Sequence, residues 1–316
     1  MQIETDAILQ GSQVEAARLI RILEENNPQG ITALKALYPH TGKAHILGLT
    51  GPPGAGKSTL LAQLISLFRQ RQLKVGVVVV DPSSPFSGGA WLGDRLRLAR
   101  HNEDRGVFIR SMATRGHMGG LSRTTRETAM VFDAMGYEIV LIETVGVGQD
   151  EVDVAEFAHT TAVVSLPGMG DESQALKAGL LEIADILVVN KADTPGADAV
   201  VNQLQYMLDM RTVPDSGWTP PIIKTEAVNG RGVSALVDAF EAHHQYLLHG
   251  GSLNALNAER EYRIFKRLVK EMAAEKIFSQ MEEFSAYGNL LEKLKERRID
   301  PYTAAEKLVN GLACRL

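Results

Sequence analysis

Between residues 51 and 59 the chain reads GPPGAGKST. The spacing Gly51-x-x-x-x-Gly56-Lys57-Ser58 fits a phosphate-cradling loop. Its glycines let backbone N–H groups converge on phosphate oxygens, and the helix expected next adds partial positive charge at its N-terminus. Gly51, Pro52, Pro53, Gly54, Ala55, Gly56, Lys57, Ser58 and Thr59 are therefore expected to wrap the phosphates of a nucleotide. Lys57 would reach the β- and γ-phosphates, and the Ser58 hydroxyl would ligate magnesium. The flanks agree, since HILGLT precedes as a strand and TLLAQLISLFRQ follows as a helix. The bland alternative is a Gly-rich turn without ligand, and both spacing and flanks count against it.

A second pattern bears on the base. In DILVVNKAD, Asn190-Lys191-x-Asp193 stands at the end of an apolar run. The Asp193 carboxylate can accept from both N1–H and the exocyclic amine of guanine, a donor pair that adenine lacks. Asn190 would support the ring edge and Lys191 would cover the ring face. A pocket built around such donors rejects a ligand without them, because its acceptor stays unpaired. Four letters alone are weak evidence. Following a phosphate loop by about 130 residues, at a strand end, they become strong. Thr225, Glu226 and Ala227, after PPIIK, lie where a small-residue loop would touch the guanine oxygen.

A third segment carries the expected acid. LIETVGVG ends a hydrophobic run in Glu143-x-x-Gly146, where Asp-x-x-Gly would be usual in a small GTPase. Such an acid holds a magnesium water, and such a glycine senses the γ-phosphate. Val147 occupies the position of a water-orienting glutamine, which an aliphatic side chain cannot replace.

The chain that must position these groups has 316 residues, 45% of them hydrophobic and 22% charged. That composition is ordinary for a globular protein with a large core. A formal net charge of -5 argues against a nucleic-acid binder acting through bulk electrostatics. Cys314 is the single cysteine, so no internal disulfide is possible and a reducing, cytoplasmic setting fits. Apolar runs such as VGVVVV at 75–80 fall far short of the roughly 18 residues of a membrane span. The polar, acidic N-terminus lacks a signal-peptide profile. No membrane partner is expected.

Seven runs read as strands: HILGLTG, KVGVVVVD, GVFIRSM, YEIVLIET, TTAVVSLPG, DILVVNKAD and PPIIKTEA. Nearly continuous in hydrophobicity and separated by helical stretches, they indicate an α/β fold with a parallel sheet covered on both faces. Residues 1–40 form a helical extension, with Val14, Ala17, Leu19 and Ile22 near helical spacing and a break at NNPQG. The core then spans 41–250. Residues 251–316 are charged and helical, with Ile264, Leu268 and Met272 at four-residue spacing, and Phe265 and Val269 widening the stripe. Such a stripe would by default pack onto the core.

Together GPPGAGKST, DPSSPFSGGAWLGDR (81–95), FIRSMATRGHMGGLS (108–122), ETVGVGQDEVDV (143–154) and PGMGDESQALKAGLLEIADILVVNKAD (167–193) resemble the MeaB/ArgK family. These are methylmalonyl-CoA mutase-associated GTPases of the SIMIBI class, in whose branch Glu-x-x-Gly replaces Asp-x-x-Gly. The resemblance runs from about residue 5 to the C-terminus. It implies a P-loop GTPase binding GTP, GDP and Mg2+, slow alone and stimulated by its client, an adenosylcobalamin-dependent acyl-CoA mutase. The cobalamin would be handled only through that mutase. Slow turnover fits Val147, since phosphoryl transfer depends on positioning that a partner can complete.

By the same resemblance Glu143 belongs to the magnesium and catalytic site, either holding a magnesium water or orienting the nucleophilic one. Asp81 and Asp94 match its other acids, although Asp94 read locally could be a helix N-terminal charge. Residues 82–95, 146–156 and 167–180 read as switch segments, the last matching the family at Asp171 and Lys177. Lys177 counts among the catalytic candidates, with an ordinary helix-surface lysine as the alternative. Arg115 is a candidate stabiliser of transition-state charge. The C-terminal helices are implied to form the arm of a homodimer. Two other functions stay open: a metallochaperone GTPase, and a kinase of a transport protein as in an older reading of ArgK-type sequences. The first lacks Cys-x-x-Cys and His-rich tracts, and adjacent His243 and His244 (with His249 nearby) point in different directions on a helix. The second is disfavoured by Asn190 and Asp193.

Overall fold

The computed structural model describes residues 3–81, 98–101, 103–113, 120–144, 154–168, 181–210, 217–250, 252–281 and 287–313. Seven strands form one sheet: β1 (His45–Thr50), β2 (Val75–Asp81), β3 (Val107–Ala113), β4 (Ile139–Glu143), β5 (Thr160–Ser165), β6 (Ile186–Val189) and β7 (Ile222–Lys224). Their order across the sheet is β3-β2-β4-β1-β5-β6-β7. Every pairing is parallel. All seven apolar runs of the sequence are strands, and the α/β expectation holds.

The hydrophobicity of the central runs is continuous because those strands are buried from both sides. In β2, Val75, Val77 and Val79 enter one core while Val78 and Val80 enter another. In β6, Ile186 and Val188 join the first core, and Leu187 and Val189 a third. Burying one such side chain is worth roughly 1.5–3 kcal/mol, so a one-residue slip of a central strand would exchange the contents of two filled cores.

Helices supply the other half of each core. α4 (Lys57–Gln70) contributes Leu60, Leu61, Leu64 and Ile65 to the first, with Val233, Leu236 and Phe240 of α7 (Val233–His249). The opposite face is covered by α1 (Thr5–Leu9), α2 (Gln13–Glu24), α3 (Pro28–Leu37) and α5 (Gly120–Ala134). α6 (Ala197–Asp209) packs over the third core.

The N-terminal helices correct the sequence reading in one place and refine it in another. The buried face of α2 is Ala16, Leu19, Ile20 and Leu23, and Val14 is 77% exposed. Counting from Val14 set the stripe on the wrong side of the helix start. There Ser12 accepts from the Glu15 N–H as N-cap. The break at NNPQG is also a helix start: Asn27 accepts from the Gln29 N–H, and Pro28 takes the first helical position.

Two compact units divide the chain, residues 1–251 and 252–316. The second consists of α8 (Ser252–Met281), α9 (Tyr287–Lys295) and α10 (Pro301–Ala313). Asp300 caps α10 by accepting from the Thr303 N–H and hydroxyl at 2.9 and 2.6 Å. The stripe on α8 is not a buried seam. Phe265, Val269 and Met272 are 61%, 48% and 67% exposed. Among the described residues no helix is long and apolar enough to cross a membrane.

Candidate nucleotide site

The phosphate loop, Glu143, Asn190 and the 225–227 segment all lie at the C-terminal ends of parallel strands, where open α/β sheets bind ligands. β1 is hydrogen-bonded to β4 on one side and β5 on the other. Leu49 and Glu143 are register partners, so the phosphate loop and the acid leave the sheet side by side.

Two loop glycines are required by geometry. Gly51 has φ +138°, and a Cβ there would stand 2.1 Å from the Val164 carbonyl oxygen. Gly56 has φ +87°, and its Cβ would stand 2.4 Å from Asn190 Nδ2. A side chain at either position would be strained in its backbone and would collide. α4 then starts at Lys57 and turns the N–H groups of its first turn toward the loop. Lys57 is buried and donates from Nζ to the carbonyls of Gly51 at 2.6 Å and Pro52 at 3.1 Å, spanning the loop's own backbone.

Ser58 donates from Oγ to Oε1 of the buried Glu143 at 2.7 Å. The structure thus brings together a hydroxyl and a carboxylate, expected as magnesium ligands, from positions 85 residues apart. Both are hard oxygen donors, the kind Mg2+ takes, usually one or two from protein with water and phosphate completing the set. The donor set fits that ion. Asp81 ends β2, beside β4. Its side chain, together with Asp94, Gly146, Val147, Arg115, Asp171 and Lys177, lies outside the described residues.

Asn190, expected to support the ring edge, has partners in both neighbouring loops. It is buried, donates from Nδ2 to the Ala55 carbonyl at 2.8 Å, and accepts at Oδ1 from the Thr225 hydroxyl and the Ala227 N–H at 3.0 and 3.1 Å. One amide therefore ties the phosphate loop to the base-side loop. Thr225 N–H donates to the Val189 carbonyl, and Ala192 N–H to the Thr225 carbonyl, which holds 225–227 alongside 190–193. Lys191 adopts φ +54°, and Lys191 and Asp193 are both exposed past the end of β6. Glu226 turns to Arg231 through a backbone bond at 2.9 Å and a side-chain contact at 3.4 Å. Gln63 of α4, not singled out from sequence, donates to the Ala227 carbonyl at 3.1 Å. Its signal was slight: one amide inside the apolar run TLLAQLISLF.

The histidines considered as metal ligands belong to the opposite edge of the sheet. His45 stacks on His244 with centroids 4.1 Å apart. The Thr160 hydroxyl lies 2.9 Å from both His45 Nε2 and His243 Nδ1. His249 Nδ1 lies 2.7 Å from the Gln245 carbonyl. Among the described residues no group of three His, Cys, Asp or Glu side chains is placed to hold a metal.

A seven-stranded parallel sheet with a glycine loop of the phosphate-binding pattern, an oxygen pair beside it and an Asn-Lys-x-Asp strand end defines a P-loop GTPase, a GTP hydrolase. More narrowly, the model of the methylmalonyl-CoA mutase-associated GTPase MeaB matches residues 16–282, and the chain belongs to that family. A Pyrococcus horikoshii protein named as a GTPase is 43% identical over 98% of each chain. The mouse methylmalonic aciduria type A homolog, named as mitochondrial, is 32% identical over 85% of this chain and 66% of its own. Among solved structures, an LAO/AO transport system kinase superposes with TM-score 0.73 at 27% identity, covering 98% of this chain and 96% of its own.

Proposed function

We propose that this GTPase serves an adenosylcobalamin-dependent acyl-CoA mutase of the methylmalonyl-CoA type, gating cofactor loading and protecting or reactivating the enzyme in the cytoplasm. The observation that carries the client assignment is the mutase-associated family match across residues 16–282. The name of the mouse relative points the same way. The cofactor stays with the mutase, and the GTPase reads and reports nucleotide state.

Within the site, the loop N–H groups and Lys57 hold and neutralise the phosphates. Lys57 exchanges the carbonyls of Gly51 and Pro52 for phosphate oxygens. Ser58 and Glu143 would hold Mg2+, with Asp81 and Asp94 as further acids; the ion would supply charge neutralisation at the phosphates. Glu143 either holds a magnesium water or orients the nucleophilic one, and Asp193 reads guanine. Lys177 adds charge from the third switch. With Val147 in place of a glutamine, the chain alone positions water poorly, and the client completes the arrangement. The exposed Phe265, Val269 and Met272 of α8 support a homodimer formed through that face, because apolar side chains exposed together on one helix face mark protein–protein contacts.

Steady-state GTP hydrolysis by the pure protein, alone and with cobalamin-dependent acyl-CoA mutases from the same source, tests the proposal. Slow turnover raised many-fold by one mutase is expected. Turnover indifferent to every mutase, or phosphate recovered on a protein product, would contradict it.

A further inference from the structure

Two side chains hold the base-side loop, and they reach it from opposite directions. Asn190 holds Thr225 Oγ1 and the Ala227 N–H. Gln63 holds the other end of the same residue, donating from Nε2 to the Ala227 carbonyl at 3.1 Å across 164 residues of sequence. Ala227 itself is buried. Gly230 passes within 3.9–4.0 Å of the Gln63 amide, measured from where its Cβ would be, so the amide lies under the turn that returns from 226 to 231. Glu226 and Arg231 close that turn by an antiparallel bridge.

Gln63 stands six residues after Lys57 on α4, the helix whose first turn faces the phosphates. Through this one bond, the element that holds phosphate also fixes the loop that borders the base. We infer that Gln63 is a positioning residue that sets the residence time of guanine nucleotides, by clamping the 225–227 loop onto the phosphate-binding helix. The inference rests on the reading of 190–193 and 225–227 as the guanine pocket. Its physical content is a coupling. A base can leave only when its loop opens, and opening breaks the Gln63–Ala227 bond at the cost of one neutral hydrogen bond. GTP and GDP share that base, so both are affected alike. The γ-phosphate, expected at Lys57 rather than at the base, is not.

The test compares Gln63→Met, which keeps the stem and removes the polar atoms, with Gln63→Glu, which sets a carboxylate oxygen against the Ala227 carbonyl. Each full-length variant is loaded with labelled GDP or GTP, and dissociation is followed after addition of excess unlabelled nucleotide. Single-turnover cleavage of bound GTP is measured on the same samples. Dissociation of both nucleotides should rise about fivefold in Gln63→Met, the effect of one lost hydrogen bond, and further in Gln63→Glu. Cleavage should change far less than dissociation. That split separates a clamp from a general loss of structure, which would lower the melting temperature, speed release and slow cleavage together. Wild-type protein holding GDP, with both variants releasing it at the wild-type rate, overturns the clamp alone. A wild type that retains no guanine nucleotide overturns the pocket reading and the clamp with it.

Discussion

The two edges of the sheet, at the C-terminal and the N-terminal strand ends, both carry buried polar groups and use them differently. At the C-terminal ends of β1, β4 and β6, Ser58 meets Glu143 and Asn190 ties Ala55 to Ala227. At the N-terminal ends of β1 and β5, Thr160 bridges His45 and His243, and His45 stacks on His244. Burial and hydrogen bonding are common to both, so neither marks a working site. What distinguishes the first edge is backbone. Glycines of positive φ at 51 and 56 and a helix N-terminus converge there, which leaves N–H groups for an anion. The histidine edge packs ring on ring, and His45, His159 and His243 find ring-nitrogen partners inside the protein. It is a polar seam that joins α7 to the strand starts.

Removing Lys57 strikes the first edge hardest. Lys57→Ala should lower GTP hydrolysis by about a thousandfold, the upper range for losing one charge-stabilising donor, measured as phosphate release under saturating GTP. Next comes Glu143→Gln, which keeps the shape and the Ser58 contact but lowers the charge. Hydrolysis should fall about a hundredfold while GDP binding changes little; full turnover would remove Glu143 from catalysis.

The histidine edge should leave hydrolysis alone and govern stability. Burial first, then the neighbouring His244, His159 and His243, hold His45 well below the ordinary histidine range. Burial also lowers His244, against the raising influence of Glu241. Such groups are neutral when folded and charge readily when unfolded. Their contribution is intact above pH about 6.5 and is lost as the pH falls from there toward the lowered folded value. Each histidine held neutral costs at most about 1.4 kcal/mol per pH unit in that window. Denaturant unfolding of His45→Gln should show a flatter decline between pH 7 and 5 than the wild type; parallel curves would show that the seam does not titrate. The smallest effect on the chemistry belongs to α8. Phe265→Glu with Met272→Glu should leave hydrolysis without a client near wild type and convert a dimer to monomer by sedimentation, and an unchanged mass would assign the stripe elsewhere.

Much of this was legible in the sequence because it is written in consecutive residues. The phosphate loop is nine letters with a fixed backbone task, and the strands announced themselves because a sheet covered on both faces allows no polar alternation. The register of α2 was not legible, since Val14 and Ala16 both fit a helical count and only the packing of α2 against α3 and α5 chooses between them. The clasps across the site were hidden for another reason. Asn190 to Ala55 spans 135 residues and Gln63 to Ala227 spans 164, and an amide on a helix looks the same whether it faces water or a loop carbonyl. The exposed stripe of α8 shows the converse. Its periodicity is that of a packed helix, and periodicity does not say what the partner is.

The claim that the glycine-lined edge is a guanine-nucleotide site meets its most direct test in calorimetric titration of the wild type and Asp193→Asn with GTP and with ATP. The wild type should prefer GTP by about ten-thousandfold, the discrimination open to a site that hydrogen-bonds a group its competitor lacks, and Asp193→Asn should lose most of that preference. Equal affinity of the wild type for the two nucleotides, or a preference untouched by the substitution, would contradict the assignment.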